Sequence, residues 1–175
     1  MIAAVVLAAG AATRFGGPKQ QLLVPSVLQR LQQAPVDEVV VVTGAHPLDL
    51  PGVRVVHCPE WERGPGASLR CGLAALTSGV DAAVVVLGDG PNLAPAAVER
   101  IVSAWHAGAG DLVAASYEGN RGHPVLLARP AWEGIPDDGM RALPAVLVPC
   151  DDLGTPGDVN TADDIGRLHP PLKGN

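Results

Sequence analysis

The sequence contains little charge, few aromatic side chains and few cysteines. Only 17% of its 175 residues are charged, 3% are aromatic, and the formal net charge is −6. No stretch is rich in lysine or arginine, which argues against the basic surface that nucleic acids and anionic membranes require. The cysteines have no metal-ligand spacing, and we expect free thiols in a reducing compartment. They are Cys58, Cys71 and Cys150.

The chain also lacks an apolar run of transmembrane length. A membrane-spanning helix needs about 20 apolar residues, and the apolar stretch of residues 1–12 is shorter. Unlike a secretory signal, this stretch has no positive charge ahead of it. We therefore predict a buried first strand and a cytoplasmic protein with neither a membrane nor a nucleic-acid partner.

What the sequence does contain is an alternation of short apolar runs and helical patterns. The runs are 2–7, 39–42, 53–56, 82–87, 112–115, 125–127 and 145–148. The first four are continuous, as expected for strands buried on both faces of a parallel sheet. Apolar residues at helical spacing lie in 69–76 and 98–105, and a shorter helix is expected after Pro25. The pattern predicts one domain over 1–175, a three-layer, doubly wound, mostly parallel α/β fold.

The loop after the first strand carries the strongest functional signal. Its small residues let backbone N–H groups approach phosphate oxygens closely. Arg14 and Lys19 add positive charge, which stabilises a leaving pyrophosphate. Lys19 is one of only two lysines against ten arginines, which suggests that a compact point charge is needed. The alternative is an ordinary surface loop. The candidate nucleotide-binding residues here are Leu7, Ala8, Ala9, Gly10, Arg14 and Lys19.

Asp89 follows the buried run 82–87 almost directly. A carboxylate at the carboxyl end of a strand is well placed to hold Mg²⁺ together with substrate phosphates. The alternative is a simple turn, because Asp-Gly and Gly-Pro are both turn dipeptides. Near the C-terminus, Thr161 and Asp164 form a helix N-cap signature.

These motifs resemble those of the MobA-like nucleotidyltransferases. The first loop is similar to their Leu-Ala-Ala/Gly-Gly, Arg-x-Gly, Lys pattern, and 88–91 resembles their Gly-Asp-Met/Gln-Pro. Residues 121–126 match their Arg-Gly-His/Asn-Pro-Val-Leu element, and 158–164 resemble their C-terminal acidic motif. The likeness extends from residue 2 to about 166 and is greatest to the molybdenum cofactor cytidylyltransferase branch.

The resemblance implies a Rossmann-like fold of the nucleotide-diphospho-sugar transferase type and a magnesium-dependent transfer. CMP would pass from CTP to a phosphorylated acceptor, molybdopterin or its molybdenum form, and Ala9 favours CTP over GTP. A molybdoenzyme or cofactor-insertion protein is an expected partner. By position, the catalytic residues are Arg14, Lys19 and Asp89. The metal ligands are Asp89, Asn160 and Asp158. Further nucleotide contacts are Gly64 and Ser68, and the acceptor side has Gly90, His123 and Arg141.

Two departures from the family pattern leave other functions open. Gly90 stands where the family has a larger residue, which predicts a hole beside the acceptor site. The segment between Lys19 and the second strand is shorter than usual. A non-catalytic module that binds nucleotide or cofactor is therefore an alternative function. A sugar or polyol phosphate is an alternative acceptor, although the sequence does not show the additional acceptor motifs of such relatives.

Overall fold

Seven strands form one sheet in the order β3-β2-β1-β4-β6-β5-β7. The structure is a computed structural model that describes residues 1–11 and 19–157. All seven predicted strands are confirmed. Their bounds are β1 Ile2–Ala8, β2 Glu38–Thr43, β3 Arg54–His57, β4 Ala82–Leu87, β5 Leu112–Tyr117, β6 Asn120–Ala128 and β7 Val146–Pro149. The α-helices in the described ranges are α1 Lys19–Leu31, α2 Pro65–Ala74 and α3 Pro95–His106.

The sheet is parallel except for β6, which runs antiparallel to both β4 and β5. The strands β1, β2 and β4 lie side by side in parallel register. Their carboxyl ends therefore meet at one edge of the sheet, beside the start of β6. Ligands of open α/β sheets bind at this edge.

Helices cover both faces of the sheet, which gives the predicted three layers. On one face α1 and α3 bury Val27, Leu31 and Ile101 against β1 and β4. On the other face α2 buries Leu69 and Leu73. The helix α2 lies very close to the sheet, because a Cβ added at Gly72 would be 2.5 Å from Val5 Cγ1. The mostly parallel α/β fold class is confirmed.

The first helix differs from the prediction. It begins at Lys19 and continues through Pro25, instead of starting after it. Proline removes one backbone donor and usually breaks a helix. Here Val24 and Val27, on either side of the proline, are fully buried together with Leu31. Burial of this apolar face outweighs the cost of one proline, which the local sequence could not reveal.

The cysteines also differ from the prediction. Cys58 and Cys71 form a disulfide with a Cα–Cα distance of 5.7 Å, so the expectation of free thiols is wrong for this pair. The chain turns after β3 and returns along α2, which brings two cysteines 13 residues apart together. Cys150 is a buried free thiol, as expected. Within the described residues, no helix combines the length and apolar character needed to cross a membrane.

Candidate active site

Two side chains distant in sequence meet at the carboxyl edge of the sheet. Lys19 begins α1, Asp89 follows β4, and Lys19 Nζ lies 2.8 Å from Asp89 Oδ2. The lysine side chain is 8% exposed and the carboxylate 27%. A nearly buried ammonium thus balances a carboxylate that still reaches solvent. The predicted catalytic residue Arg14 lies outside the described residues.

The loop after β1 is anchored to the loop after β2. The N–H of Ala45 donates to the carbonyl of Ala9 at 3.0 Å. Gly44 permits this approach, because a Cβ there would lie 2.7 Å from the Ala9 oxygen and 2.5 Å from Trp61 Cγ. Any larger residue at position 44 would separate the two loops.

Two further contacts hold the next carbonyls of this loop. Gln20 Nε2 donates to the Gly10 carbonyl at 3.0 Å, and His46 Nε2 bonds the Ala11 carbonyl at 3.0 Å. Gln20 is buried. Sequence reasoning missed both Gln20 and His46. For Gln20 the available signal was a second polar residue directly after Lys19 at the start of an amphipathic helix.

The turn that carries Asp89 is closed by backbone hydrogen bonds. The N–H of Gly88 donates to Leu7 O at 2.9 Å, and that of Gly90 donates to Leu87 O at 3.2 Å. The space directly at the Cα of Gly90 is narrower than predicted. A Cβ added there would lie 3.2 Å from Pro156 Cβ and 3.3 Å from the Gly157 oxygen, so this segment occupies the space.

Of the three predicted metal ligands, only Asp89 lies in the described part of the chain. The carboxylate of Asp89 is a hard oxygen ligand of the kind that Mg²⁺ and Mn²⁺ prefer. The other predicted ligands, Asp158 and Asn160, lie outside the described residues. Within 1–11 and 19–157, no group of three or more His, Cys, Asp or Glu side chains is placed to hold a metal. Asp89 therefore fits a divalent cation as one ligand of a larger set.

A cavity of about 920 Å³ opens beside this turn, between the ends of β1 and β4 and the segment 138–141. Its volume matches that of small-molecule sites. Each residue predicted for the acceptor side lies in its wall, and two charged side chains outside that predicted set lie there too. The first set is Gly90, His123 and Arg141, and the second is Arg121 and Asp138.

His123 presents a neutral ring to this cavity. Burial lowers its pKa from 6.5 to about 4; the charge of Arg121 acts in the same direction, and Asp89 opposes it. Tyr117 Oη donates to the His123 carbonyl at 3.0 Å, which fixes the backbone. Arg121 Nη1 donates to Leu143 O at 2.7 Å, so part of that guanidinium holds the wall together.

Gly64 and Ser68 lie beside the cavity rather than in its described lining. A Cβ at Gly64 would be 2.2 Å from Asp137 O, and one at Gly66 would be 1.7 Å from Pro136 O. These glycines let α2 dock against the segment 135–139. Arg70 reinforces the contact through an ion pair with Asp137, and this guanidinium lowers the pKa of the Asp137 carboxyl.

Ser68 is only 3% exposed. The described contacts of Gly64 and Ser68 thus belong to packing, and their contact with a nucleotide base stays a prediction.

A family model described as the MobA-like NTP transferase domain matches residues 4–145. The chain belongs to the MobA-like NTP transferase family. This MobA-like chain is an NTP-dependent nucleotidyltransferase, in agreement with a carboxylate at the end of β4 and a cavity beside it. None of the functionally curated proteins compared with it matches.

Solved structures of similar proteins cover nearly the whole MobA-like chain. Rv0371c from Mycobacterium tuberculosis H37Rv is 30% identical, with a TM-score of 0.79 over 95% of this chain and 96% of that one. A manganese complex of Rv0371c is 29% identical, with a TM-score of 0.76 over 98% and 99%.

A more distant structure shares the fold. Molybdopterin-guanine dinucleotide biosynthesis protein A from Archaeoglobus fulgidus is 16% identical, with a TM-score of 0.65 over 94% of this chain and 95% of that one. It supports the fold class, which is that of the nucleotide-diphospho-sugar transferases.

Proposed function

We propose that the protein transfers CMP from CTP to a phosphorylated acceptor, molybdopterin or its molybdenum form, in a reaction that requires Mg²⁺. The observation that carries this proposal is the Lys19–Asp89 pair, 2.8 Å apart, beside a cavity of about 920 Å³. The pair supplies a cation for a triphosphate and a carboxylate for a metal. The cavity supplies room for an acceptor.

In this reaction an acceptor phosphate oxygen attacks the α-phosphorus of CTP. A new P–O bond forms, the bond to the bridging oxygen of the β-phosphate breaks, and pyrophosphate leaves. Lys19 and Arg14 stabilise the negative charge that moves onto pyrophosphate. Positioning and electrostatics suffice for such a transfer, so no covalent enzyme intermediate is required.

The metal would be held by Asp89 with Asn160 or Asp158. Bound Mg²⁺ would supply positive charge that offsets the charge of the triphosphate. A divalent metal is supported by the manganese complex of Rv0371c. The choice of molybdopterin rests on the family resemblance and on the name of the Archaeoglobus fulgidus structure, and that of CTP rests on Ala9, with Gly64 and Ser68 proposed near the base.

The acceptor phosphate would meet Arg141. This arginine lines the cavity and is exposed. Arg121 is already bonded to the Leu143 carbonyl, which leaves Arg141 as the better placed cation. His123, neutral at pH 7, suits an uncharged polar part of the acceptor, since a neutral imidazole can donate and accept one hydrogen bond each.

Ligand-induced stabilisation tests the nucleotide and metal assignments. The melting temperature is measured with CTP, GTP, ATP and UTP, each with and without Mg²⁺, for the wild type, Asp89→Asn and Asp152→Asn. A ligand at about 100 times its Kd adds about 2.7 kcal/mol of stability. Mg-CTP should stabilise the wild type most. Asp89→Asn should lose that gain, and Asp152→Asn should keep it because Asp152 pairs with Arg100 on the surface.

Pyrophosphate release tests turnover and the acceptor. Release that depends on both CTP and molybdopterin would support the proposal. Release of pyrophosphate with a sugar phosphate, and none with molybdopterin, would identify a sugar phosphate as the acceptor in place of molybdopterin. Binding of Mg-CTP without release for any acceptor would identify a binding module, and absence of any triphosphate-induced shift would refute the nucleotide site.

A further inference from the structure

Three successive carbonyl groups in the loop after β1 are tied to other parts of the protein. Those of Ala9, Gly10 and Ala11 accept from Ala45 N, Gln20 Nε2 and His46 Nε2, each at 3.0 Å. The first bond is between main chains, whereas the other two depend on side chains. The direction of this loop's peptide groups is therefore set partly by Gln20 and His46.

A trans peptide group directs its C=O and its N–H to opposite sides. The bond from Ala45 to the Ala9 carbonyl thus turns the Gly10 N–H away from the loop after β2. The bond from Gln20 to the Gly10 carbonyl likewise turns the Ala11 N–H away from α1. In the part of the chain that the structure describes, neither N–H donates to another residue. Two neighbouring donors are thereby held in fixed directions, as in backbone sites that bind anions.

We infer that Gln20 is a positioning residue that orients the Gly10–Ala11 peptide so that its N–H binds the polyphosphate of the substrate. The inference rests on the proposed function and adds to it a residue that contacts the loop instead of the nucleotide. Lys19 and Gln20 then have complementary tasks at the start of α1. Lys19 provides charge at Asp89, and Gln20 holds the loop.

The surroundings of Gln20 indicate that its amide does not serve packing alone. The residue is 5% exposed, and its Oε1 is buried without a hydrogen-bond partner among the described residues. A buried acceptor without a donor lowers stability. An apolar side chain of the same length would avoid that loss, so the benefit of the amide lies in its bond to Gly10.

The adjacent Gln21 provides a matched control. Its amide exchanges two hydrogen bonds with the Asp49 backbone, each 3.1 Å long, away from the Gly10 carbonyl. Gln20→Met and Gln21→Met thus make the same chemical change at neighbouring positions of one helix. Only the first removes a bond to the loop after β1.

The test uses inorganic pyrophosphate as the probe, with Mg-CTP turnover measured in parallel. We expect amide resonances of Gly10 and Ala11 to shift when pyrophosphate is added to the wild type. Gln20→Met should weaken pyrophosphate binding about tenfold, as for the loss of one oriented charge-assisted bond. It should raise the KM for CTP more than it lowers kcat, and its melting temperature should not fall. Gln21→Met should bind pyrophosphate like the wild type.

The inference is overturned if Gln20→Met binds pyrophosphate like the wild type, or if the two amide resonances do not move. It is also overturned if Gln20→Met and Gln21→Met weaken binding equally. If pyrophosphate binding depends on Gln20 but no acceptor supports turnover, the positioning role stands and the proposed function fails. If turnover occurs and Gln20→Met leaves the KM for CTP unchanged, the proposed function stands and the positioning role fails.

Discussion

The loop after β1 and the wall of the proposed acceptor cavity position their polar groups in different ways. The loop leads from the buried parallel strand β1 to α1. Its carbonyls are held by Ala45, Gln20 and His46. The cavity wall includes the antiparallel strand β6 and the segment 135–143, which is attached through arginine side chains and close glycine contacts. The proposed nucleotide side is therefore held by α1 and by the loop after β2, at the carboxyl edge of the sheet. The acceptor side is a docked surface segment, and such segments vary more readily between relatives.

The largest expected effect is on the nucleotide side. Lys19→Met removes the cation beside Asp89, and we expect kcat/KM for CTP to fall at least about 100-fold, as for the loss of one electrostatic contact to a transition state. Steady-state kinetics of pyrophosphate release measure this value of kcat/KM. Arg54→Met, which breaks an exposed ion pair with Glu38, is the control and should leave kcat/KM unchanged. If kcat/KM for CTP falls less than about threefold in Lys19→Met, Lys19 does not stabilise the transition state, and the proposed nucleotide side loses its cation.

The next effect concerns the neutral ring of His123 in the cavity wall. Its folded pKa of about 4 lies below the ordinary 6.5. Between these values the unfolded chain binds more protons than the folded one, so stability falls as the pH drops from 6.5 to 4. The pKa gap corresponds to at most about 3 kcal/mol. The pH slope of the unfolding free energy, measured with urea, should be smaller in His123→Gln than in the wild type.

The exposed His57 serves as the control for this measurement. His57→Gln makes the same substitution outside the cavity wall, so the slope of His123→Gln is compared with that of His57→Gln as well as with that of the wild type. Equal slopes in His123→Gln and the wild type would show that the imidazole is charged or solvated, and that the acceptor side is more open than the structure indicates.

Docking of the cavity wall on α2 depends on Gly66. A Cβ there would be 1.7 Å from Pro136 O, so Gly66→Ala must displace the backbone of 135–139. We expect a loss of about 2 kcal/mol, as for overpacking, and a melting temperature lower by roughly 5 °C. Gly79→Ala, where the nearest atom is Met1 Sδ at 3.4 Å, should be close to neutral. An unchanged melting temperature in Gly66→Ala would show that the segment 135–139 can move at little cost in free energy.

The smallest expected effect is a change in acceptor binding that leaves CTP binding unaffected. Arg141→Gln should raise the KM for the acceptor about tenfold, because it removes one charge-assisted contact to a phosphate. Binding of Mg-CTP, measured by melting temperature, should not change. Arg30→Gln, at the exposed end of α1, should affect neither quantity. A weaker stabilisation by Mg-CTP in Arg141→Gln would mean that the cavity and the nucleotide site overlap.

Local patterns predicted the elements of this protein well. The seven apolar runs became seven strands, and the helical spacing of 69–76 and 98–105 became parts of α2 and α3. These predictions succeeded because burial on both faces of a sheet, or along one stripe of a helix, leaves a period that is readable in a short window. The order and direction of the strands, including the antiparallel β6, were not predicted in that detail.

At the carboxyl edge of the sheet, the sequence singled out Lys19 and Asp89 but not the side chains that hold the loop after β1. Lys19 and Asp89 carry motifs next to strands, and the structure brings them to 2.8 Å across 70 residues of sequence. Gln20 and His46 carry no motif, and their roles arise only when two loops meet. The packing roles of Gly64 and Gly66 likewise depend on the backbone of 136–137, which lies 70 residues away in sequence.

The sequence by itself determined the strands and two of the three described α-helices. It also determined that the first loop and Asp89 each follow a buried strand, because each of these features depends on residues close in the chain. Only the tertiary structure decided where α1 begins, that Cys58 and Cys71 are joined, that Pro156 and Gly157 occupy the space beside Gly90, and which side chains hold the carbonyls of the first loop. These features depend on contacts between distant segments, and such contacts leave no period in the sequence.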